Sequence, residues 1–231
     1  MARSYFVAAI ATAIVLPGLG GCTGIPGLGG EAPPETYDLL ATKPKPLAKS
    51  RRTAYQMVVS EPSSVRALAT DRILVKPRSE AISYFPKVQW SDRLPALLQK
   101  RLIESLARSR RFAAVGGGSD RIDADIRFAT NIRAFQIEVN GAGAQARISL
   151  FVKIFNEKSG RIIASHNFEA TVPAPKDNVQ GAVAAMNGGL QLVLAKIITW
   201  SAHLKVSDGV KPPSSKRAPA DAISRGPVQR G

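Results

Sequence analysis

The sequence predicts one α+β domain, an antiparallel β-meander sheet covered on one face by two helices. Three successive stretches between Ile122 and Val172 alternate apolar and polar residues, which is the pattern of half-buried strands. The stretches before and after them repeat apolar residues at every third or fourth position, as amphipathic helices do. Of the 231 residues, 45% are hydrophobic and 21% are charged. This composition excludes a wholly disordered chain and is sufficient for a single core.

Several short strands and one helix are predicted ahead of the meander. Short apolar runs predict strands at residues 37–40, 55–59 and 72–75, and one or two more within residues 81–90 on either side of Pro86. A helix is then predicted to run to about Arg108, with Ser91 or Asp92 as its cap. Its buried face is a stripe of leucines: Leu94, Leu98, Leu102 and Leu106.

The meander itself is predicted from its alternation and its turns. Residues 112–115 precede it as a further short strand that ends at three glycines. The first long strand changes its apolar parity near Ala134 and Phe135, which predicts a β-bulge there. Turns are predicted at residues 141–143 and 159–160, where glycine interrupts the alternation. The first of these turns, with the residues after it, matches the loose dinucleotide pattern GxGxxA, but a strand follows instead of a helix, which favours a hairpin.

A second helix is predicted to close the domain. Asp177 or Asn178 provides its cap, and its apolar stripe runs as far as Leu204. Gly188 and Gly189 stand in its middle, where each glycine costs about 1 kcal/mol relative to alanine. Their presence predicts either a kink or a close backbone contact at this point.

The N-terminus has the features of a lipoprotein signal peptide. Residues 5–16 form a twelve-residue apolar run, which is too short for a membrane-spanning helix of about 20 residues. The run is followed by Leu-Gly-Gly-Cys, in which Cys22 is the only cysteine of the chain. This arrangement resembles the lipobox of bacterial lipoproteins, and it implies cleavage after residue 21 and attachment of fatty acyl chains, such as palmitate, to Cys22. The alternative is an ordinary secretory signal that ends near a free cysteine.

Composition divides the remaining chain into a tether, a domain and a tail. Residues 22–36 are rich in glycine and proline and are interpreted as a flexible tether, and residues 37–204 hold nearly all the aliphatic periodicity. Residues 205–231 are interpreted as a basic, disordered tail. The net charge of the chain is +15, and five of its basic residues lie within residues 43–52. Export excludes DNA or RNA as the natural partner of this charge, and anionic headgroups or solubility alone remain as its alternative roles.

No catalytic, cofactor or metal site is predicted. The sequence contains no nucleophile elbow and no phosphate-binding loop, and its two histidines, His166 and His203, are far apart. Asp120, Asp123 and Asp125 are a weak calcium candidate, since a solvated strand face explains them better. The sequence therefore indicates a binding or assembly role and disfavours an enzyme.

Three aromatic residues ahead of the first helix are the candidate partner contacts. Tyr84, Phe85 and Trp90 lie in a strand candidate that proline interrupts. Tryptophan and tyrosine dominate binding hot spots, so these side chains are candidates for an interface with another protein. The alternative for Trp90 is that it packs in the core under the start of the helix.

The order and spacing of several short segments resemble the ABC-type transport auxiliary lipoproteins. The resemblance covers roughly residues 37–204 and includes the lipobox. The segments that carry it are residues 37–39, 58–62, 67–75, 82–85, 89–98, 111–116, 124–128, 159–164 and 199–200. The resemblance implies a non-enzymatic auxiliary component that works with an ABC permease, an ATPase and a mammalian-cell-entry (MCE) domain protein.

The same resemblance implies transport of lipids or other hydrophobic compounds across a Gram-negative envelope. The lipid anchor at Cys22 would face the periplasm, and Thr23 after the cysteine favours the outer membrane over the inner one. The family has no established active site to transfer, so Cys22 is the only functional residue that the resemblance supplies. The alternative function is a free-standing envelope lipoprotein that binds anionic polymer or lipid headgroups.

The predicted anchor is tested by replacing its thiol. Cys22→Ser is expected to give an uncleaved or soluble protein, because both acylation and signal cleavage depend on the thiol. Fractionation of cells into membrane and soluble pools, with gel mobility to detect cleavage, measures the outcome. A variant that is processed and membrane-bound like the wild type would contradict the lipoprotein prediction.

Overall fold

The computed structural model describes residues 32–42, 53, 55–141, 143–175 and 178–204. Within these ranges the chain forms nine strands and two α-helices. The strands are β1 (Glu35–Tyr37), β2 (Gln56–Val59), β3 (Ser63–Ser64), β4 (Arg72–Arg78), β5 (Ala81–Trp90), β6 (Ala114–Gly117), β7 (Ile126–Asn140), β8 (Gly143–Asn156) and β9 (Ile162–Ala174). The helices are α1 (Leu94–Arg108) and α2 (Val179–Ser201). The predicted signal peptide with Cys22, residues 43–52 and the predicted tail lie outside the described residues.

The last three strands pair as predicted. β7 is antiparallel to β8, and β8 is antiparallel to β9, along nearly their whole lengths. The turns between them lie where the glycines predicted them, and Gly160 has a φ of 65°, a left-handed conformation that glycine adopts without strain. The register of β7 against β8 shifts between Ile132 and Ala134, which confirms the predicted bulge to within about one residue. β7 starts at Ile126 and not at Ile122 as the alternation predicted.

The prediction of a purely antiparallel sheet is wrong, because the other edge of β7 is parallel. β2, β3 and β4 follow one another along that edge, and all three run parallel to β7. β6 is parallel to β2, and β1 is parallel to β5, so only the β4–β5 pair is antiparallel on this side. Parallel pairing needs a long crossover, and α1 lies in the connection between β4 and β7. The α+β class is confirmed, with a mixed nine-stranded sheet in place of the meander.

Both helices pack on one face of the sheet. α1 contacts β2, β6 and α2, while α2 contacts β7, β8 and β9. The predicted leucine stripe of α1 is buried, and each fully buried leucine contributes about 1.5–3 kcal/mol. The predicted cap of α1 is wrong, because the cap position is Arg93 and no side chain caps it. The carbonyl of Thr70 accepts from Leu94 N–H at 3.0 Å and takes the place of a side-chain cap.

α2 is a core helix that begins as predicted. Asn178 is its cap, and the Oδ1 of this residue accepts a hydrogen bond from Gly181 N–H at 2.9 Å. The helix is long and apolar enough to cross a membrane by length and composition alone, but 61% of its most apolar window is buried inside the protein. It ends at Ser201, before Leu204. A core position on the sheet explains its apolar character.

Gly189 is a point of close approach between α2 and the sheet. A Cβ built there would stand 3.0 Å from Ile148 Cγ1 on β8, whereas a Cβ at Gly188 would meet no atom within 4 Å. The predicted close contact is therefore present at one glycine of the pair and absent at the other. A side chain at Gly189 would have to push the helix away from the sheet.

Three short strands differ from their predicted limits. β1 covers Glu35–Tyr37 and so begins inside the predicted tether, while residues 38–40 leave the strand. β5 is one continuous strand through Pro86, with Lys87 at a φ of 57°. β6 continues through two of the glycines that were predicted to end it. In β1 and β5 the limits depend on contacts with distant residues, which short sequence windows do not contain.

The close approach of α2 to β8 predicts that a valine will destabilise the fold at Gly189 but not at Gly188. Gly189→Val is expected to lower the free energy of unfolding by about 1–3 kcal/mol, because the added methyl groups overpack the contact with Ile148. Gly188→Val is the matched control and is expected to leave stability unchanged or slightly raised, since glycine is the poorer helix former. Urea unfolding followed by circular dichroism measures both. Equal destabilisation by the two variants would contradict the packing assigned to Gly189.

Candidate functional site

Residues 38–42, called here the strap, cross from the end of β1 onto the two helices. Asn187 of α2 accepts a hydrogen bond from Leu40 N–H at 2.8 Å and donates one to the first carbonyl of the strap at 3.3 Å. Ser105 of α1 accepts a hydrogen bond from Thr42 N–H at 3.2 Å. Two N–H groups and one carbonyl of the strap therefore bond to side chains of the helices.

The side chains that hold the strap are buried. Asn187 is 7% exposed and Ser105 is fully buried, and Leu39 between them packs into the core. A buried polar side chain is costly unless it is hydrogen-bonded, and the strap supplies the missing partners. Asn187 was not singled out from the sequence, although an amide within an apolar helical stripe is a signal of such a partner.

A row of alternating charges runs from the strap along α1. Asp38 Oδ2 lies 2.6 Å from Arg101 Nη2, and Arg101 Nη1 lies 2.9 Å from Glu104 Oε2. Glu104 also pairs with Arg108 one turn later. The outer members Asp38 and Arg108 have side chains that are 49% and 48% exposed, while Arg101 is 22% exposed. The row thus has a partly buried centre and two accessible ends.

These contacts shift the pKa values of Asp38 and Arg101. Burial by itself would raise the pKa of Asp38, but hydrogen bonds from Arg101 and from Leu39 N–H outweigh burial and leave that pKa below its usual value. For Arg101, burial opposes the charged form, but the hydrogen bonds to Asp38 and Glu104 raise its pKa. Both shifts favour the charged forms of Asp38 and Arg101, and the formal charges of the four residues in the row sum to zero.

The strap and the helices enclose a cleft of about 520 Å³. Its walls are the strap, the charged row and Gln191 of α2. Leu40 stands in the wall with 54% of its surface exposed. The cleft residues comprise paired charges and aliphatic groups, and they include no cysteine, serine or histidine nucleophile. The arrangement can hold a ligand through charge and apolar contact.

Trp90 lies in the core. The side chain is 1% exposed, and its ring meets Phe135 edge-on with the centroids 6.1 Å apart. A ring that is 1% exposed offers no accessible surface to a partner protein. The structure therefore favours the core alternative for Trp90 over the predicted partner contact.

Tyr84 and Phe85 remain candidates for a partner surface. Both are partly buried, and the hydroxyl of Tyr84 donates a hydrogen bond to the Ala67 carbonyl at 3.2 Å. The guanidinium of Arg72 lies 4.0 Å from the centre of the Tyr84 ring. On the same strand Ile82 is 56% exposed. The structure thus places an exposed apolar side chain on the same strand as the two predicted aromatics.

The histidine and aspartates considered in the sequence analysis have neighbours or partners within the fold. His166 is exposed beside Phe168 and Trp200, with ring centroids 4.7 and 6.1 Å away. Asp120 and Asp125 accept hydrogen bonds from the backbone N–H groups of Gly117 and Gln56, so their role is to brace β6 and β2. These aspartates precede β7, so the predicted strand face is wrong. Within the described ranges, no group of three or more His, Cys, Asp or Glu is arranged to hold a metal ion.

The charged row predicts a pH-dependent contribution to stability. The folded-state pKa of Asp38 is depressed, so its stabilising contribution is present above about pH 4 and is lost as pH falls through the depressed value. Asp38→Asn should lower the unfolding temperature at pH 7, and its difference from the wild type should shrink towards pH 2. Thermal unfolding between pH 2 and 7 measures this difference. Asp123→Asn, a change at an exposed carboxylate, is the control, and an equal pH dependence in both variants would contradict the role of the row.

Comparison with known proteins gives a family match, a curated relative and solved structures of similar fold. Residues 37–198 match the family described as ABC-type transport auxiliary lipoprotein component. A curated protein of Bradyrhizobium diazoefficiens is 31% identical over 176 residues, which is 75% of this chain and 47% of the relative. This chain thus spans about half the length of the curated relative it matches.

The solved structures resemble this chain in fold. A crystal structure of a DUF330 protein from Xanthomonas campestris aligns with a TM-score of 0.66 and 22% identity, covering 72% of this chain and 94% of that one. A crystal structure of an uncharacterized protein aligns with a TM-score of 0.58 and 14% identity, covering 73% and 99%. The matched family is defined as an auxiliary transport component and not as a class of enzyme. The chain belongs to the ABC-type transport auxiliary lipoprotein component family.

Proposed function

We propose that the protein is a non-enzymatic auxiliary subunit of an MCE-associated ABC system that transports lipids or other hydrophobic compounds across the Gram-negative envelope. The family match over residues 37–198 is the observation that carries this proposal. The lipobox that ends at Cys22 supports it independently, because the match does not include that segment. The partners would be the permease, the ATPase and the MCE-domain protein of the same system.

The proposed location follows from the anchor. Acyl chains on Cys22 would hold the protein on a membrane surface, since each buried methylene contributes about 0.8 kcal/mol and two or more chains give stable attachment. The domain would face the periplasm, and Thr23 after the cysteine favours the outer membrane. Tyr37 follows Cys22 by fifteen residues, so the tether places the domain within about 50 Å of that surface.

The proposed partner surface is the outer edge of β5. β1 pairs only with residues 88–90 of that strand, so the outer edge of residues 81–86 has no neighbouring strand in the described part of the chain. Ile82 is exposed there, beside Tyr84 and Phe85. Exposed apolar side chains at a sheet edge are suited to burial against another protein.

The proposed assembly is tested by co-purification. The affinity-tagged protein, cross-linked in its own cells, is expected to recover the permease, the ATPase and the MCE-domain protein encoded beside it. Ile82→Asp should reduce that recovery several-fold without a comparable loss of stability, because it places a charge in an apolar contact. Ile162→Asp changes an equally exposed isoleucine at the start of β9 and is the matched control.

A core variant separates folding from assembly in the same experiment. Trp90→Ala is expected to lower the free energy of unfolding by about 3–5 kcal/mol, with any loss of complex as a consequence. Absence of all three transporter proteins from the wild-type complex, together with a gene that has no transport genes beside it, would favour a free-standing lipoprotein that binds anionic polymer or headgroups.

A further inference from the structure

We propose that the cleft under the strap binds the headgroup of a zwitterionic phospholipid, with phosphoethanolamine as the simplest such group. This inference rests on the proposed function, since it names the class of lipid that the domain would contact. It concerns the domain itself and not the acyl chains on Cys22. The ligand's phosphate would pair with Arg108 and its ammonium with Asp38.

The balance of charge in the cleft selects a ligand that carries both signs. The row contains two guanidinium groups and two carboxylates, each already paired with its neighbour. A purely anionic ligand would give the neutral row a net negative charge, and a purely cationic one would give it a net positive charge. A zwitterion adds one charge of each sign, so it can pair with both ends of the row and leave no charge uncompensated.

The two accessible ends of the row, Asp38 and Arg108, carry opposite charges. About half of the Asp38 and Arg108 side chains is exposed, although both line the cleft. A guanidinium binds phosphate oxygens through parallel N–H groups, and a carboxylate accepts hydrogen bonds from an ammonium. Arg101 between them is less exposed and remains bound to both carboxylates. The ends therefore provide the recognition, and the centre keeps them in place.

The size and rim of the cleft fit a headgroup whose acyl chains leave it. About 520 Å³ lies within the usual range of small-molecule pockets, roughly 300–1,000 Å³. Leu40 in its wall is 54% exposed, and Leu192, next to the lining residue Gln191, is 53% exposed. Lys196 is the only charged residue of α2. The exposed leucines provide apolar surface for an acyl chain.

The position of the strap also favours a membrane lipid. Its first residue follows the predicted anchor, Cys22, by sixteen residues, which span at most about 55 Å when fully extended. The cleft would remain within that distance of the lipid surface. The strap thus follows the tether and β1 in the chain, and it is hydrogen-bonded to both helices.

Binding is tested on the full-length protein in a neutral detergent. Dihexanoyl phosphatidylethanolamine is titrated and its affinity is measured by calorimetry, with dihexanoyl phosphatidylglycerol, glycerophosphoethanolamine and inorganic phosphate as comparison ligands. Saturable binding of the ethanolamine lipid at least tenfold tighter than that of the glycerol lipid is expected. Glycerophosphoethanolamine should bind more weakly because it lacks acyl chains, and phosphate alone should not bind.

Variants of the cleft residues test whether the lipid binds in the cleft. Arg108→Gln and Asp38→Asn should each weaken the ethanolamine lipid at least tenfold, whereas Lys100→Gln should bind as the wild type does. Lys100 is a matched control because it lies on α1 and pairs with Asp92, outside the cleft. The unfolding temperature of each variant without lipid shows whether it is folded. Arg108→Gln tests the proposal even if Asp38→Asn is unstable. The Arg108 side chain pairs with Glu104 and takes no part in the hydrogen bonds that Asn187 and Ser105 make to the strap.

The proposal is overturned if the wild type shows no saturable binding, if both lipids bind equally, or if Lys100→Gln loses as much affinity as Arg108→Gln. Failure of the proposed function gives a different result. Loss of lipid binding with normal recovery of the transporter proteins would overturn the cleft proposal alone. Normal lipid binding without recovery of those proteins would support the cleft and overturn the assignment to the transporter.

Discussion

Hydrogen bonding along both edges of β7 positions the other parts of the fold. One edge pairs with β8 for almost the whole strand, and the other edge pairs in turn with β2, β3 and β4. β5 and β1 attach through β4, and β6 attaches through β2. β7 is thus buried between a hairpin partner and three parallel neighbours, and its face towards the helices is almost entirely apolar. Each strand that the helices contact is joined to β7 either directly or through one neighbouring strand, so the helices cover a single continuous sheet.

The strap depends on this arrangement, because it needs both helices at a fixed separation. Asn187 bonds to it from α2 and Ser105 from α1, so the full set of hydrogen bonds forms when the helices lie side by side. The tight contact of Gly189 with β8 sets the height of α2 above the sheet. The charged row then lies along the exposed side of α1. A cleft formed in this way is rigid on its helix side and bounded by a single short segment on the other.

The candidate surfaces are suited to binding and assembly. The cleft holds paired charges and exposed leucine, and the outer edge of β5 holds an exposed isoleucine beside two aromatics. Neither combines a nucleophile with a base, which agrees with the definition of the family as an auxiliary component. The two surfaces have different roles in the proposals, the first for a lipid headgroup and the second for a protein. Each can therefore fail or succeed without the other.

Local information in the sequence determined the apolar stripes of both helices and the hairpins of β7, β8 and β9, because turns and periodic faces depend on neighbouring residues. The lipobox is likewise a prediction from a short stretch of sequence. The bulge in β7 was also visible, since a change of parity is a local signal. Tertiary structure decided the parallel pairings and the strap, because they join distant residues: Asn187 is 147 positions from Leu40. It also decided that Trp90 is buried and that the Thr70 carbonyl replaces a cap on α1. No short stretch of sequence contains both members of such a pair, so only the folded chain could bring them together.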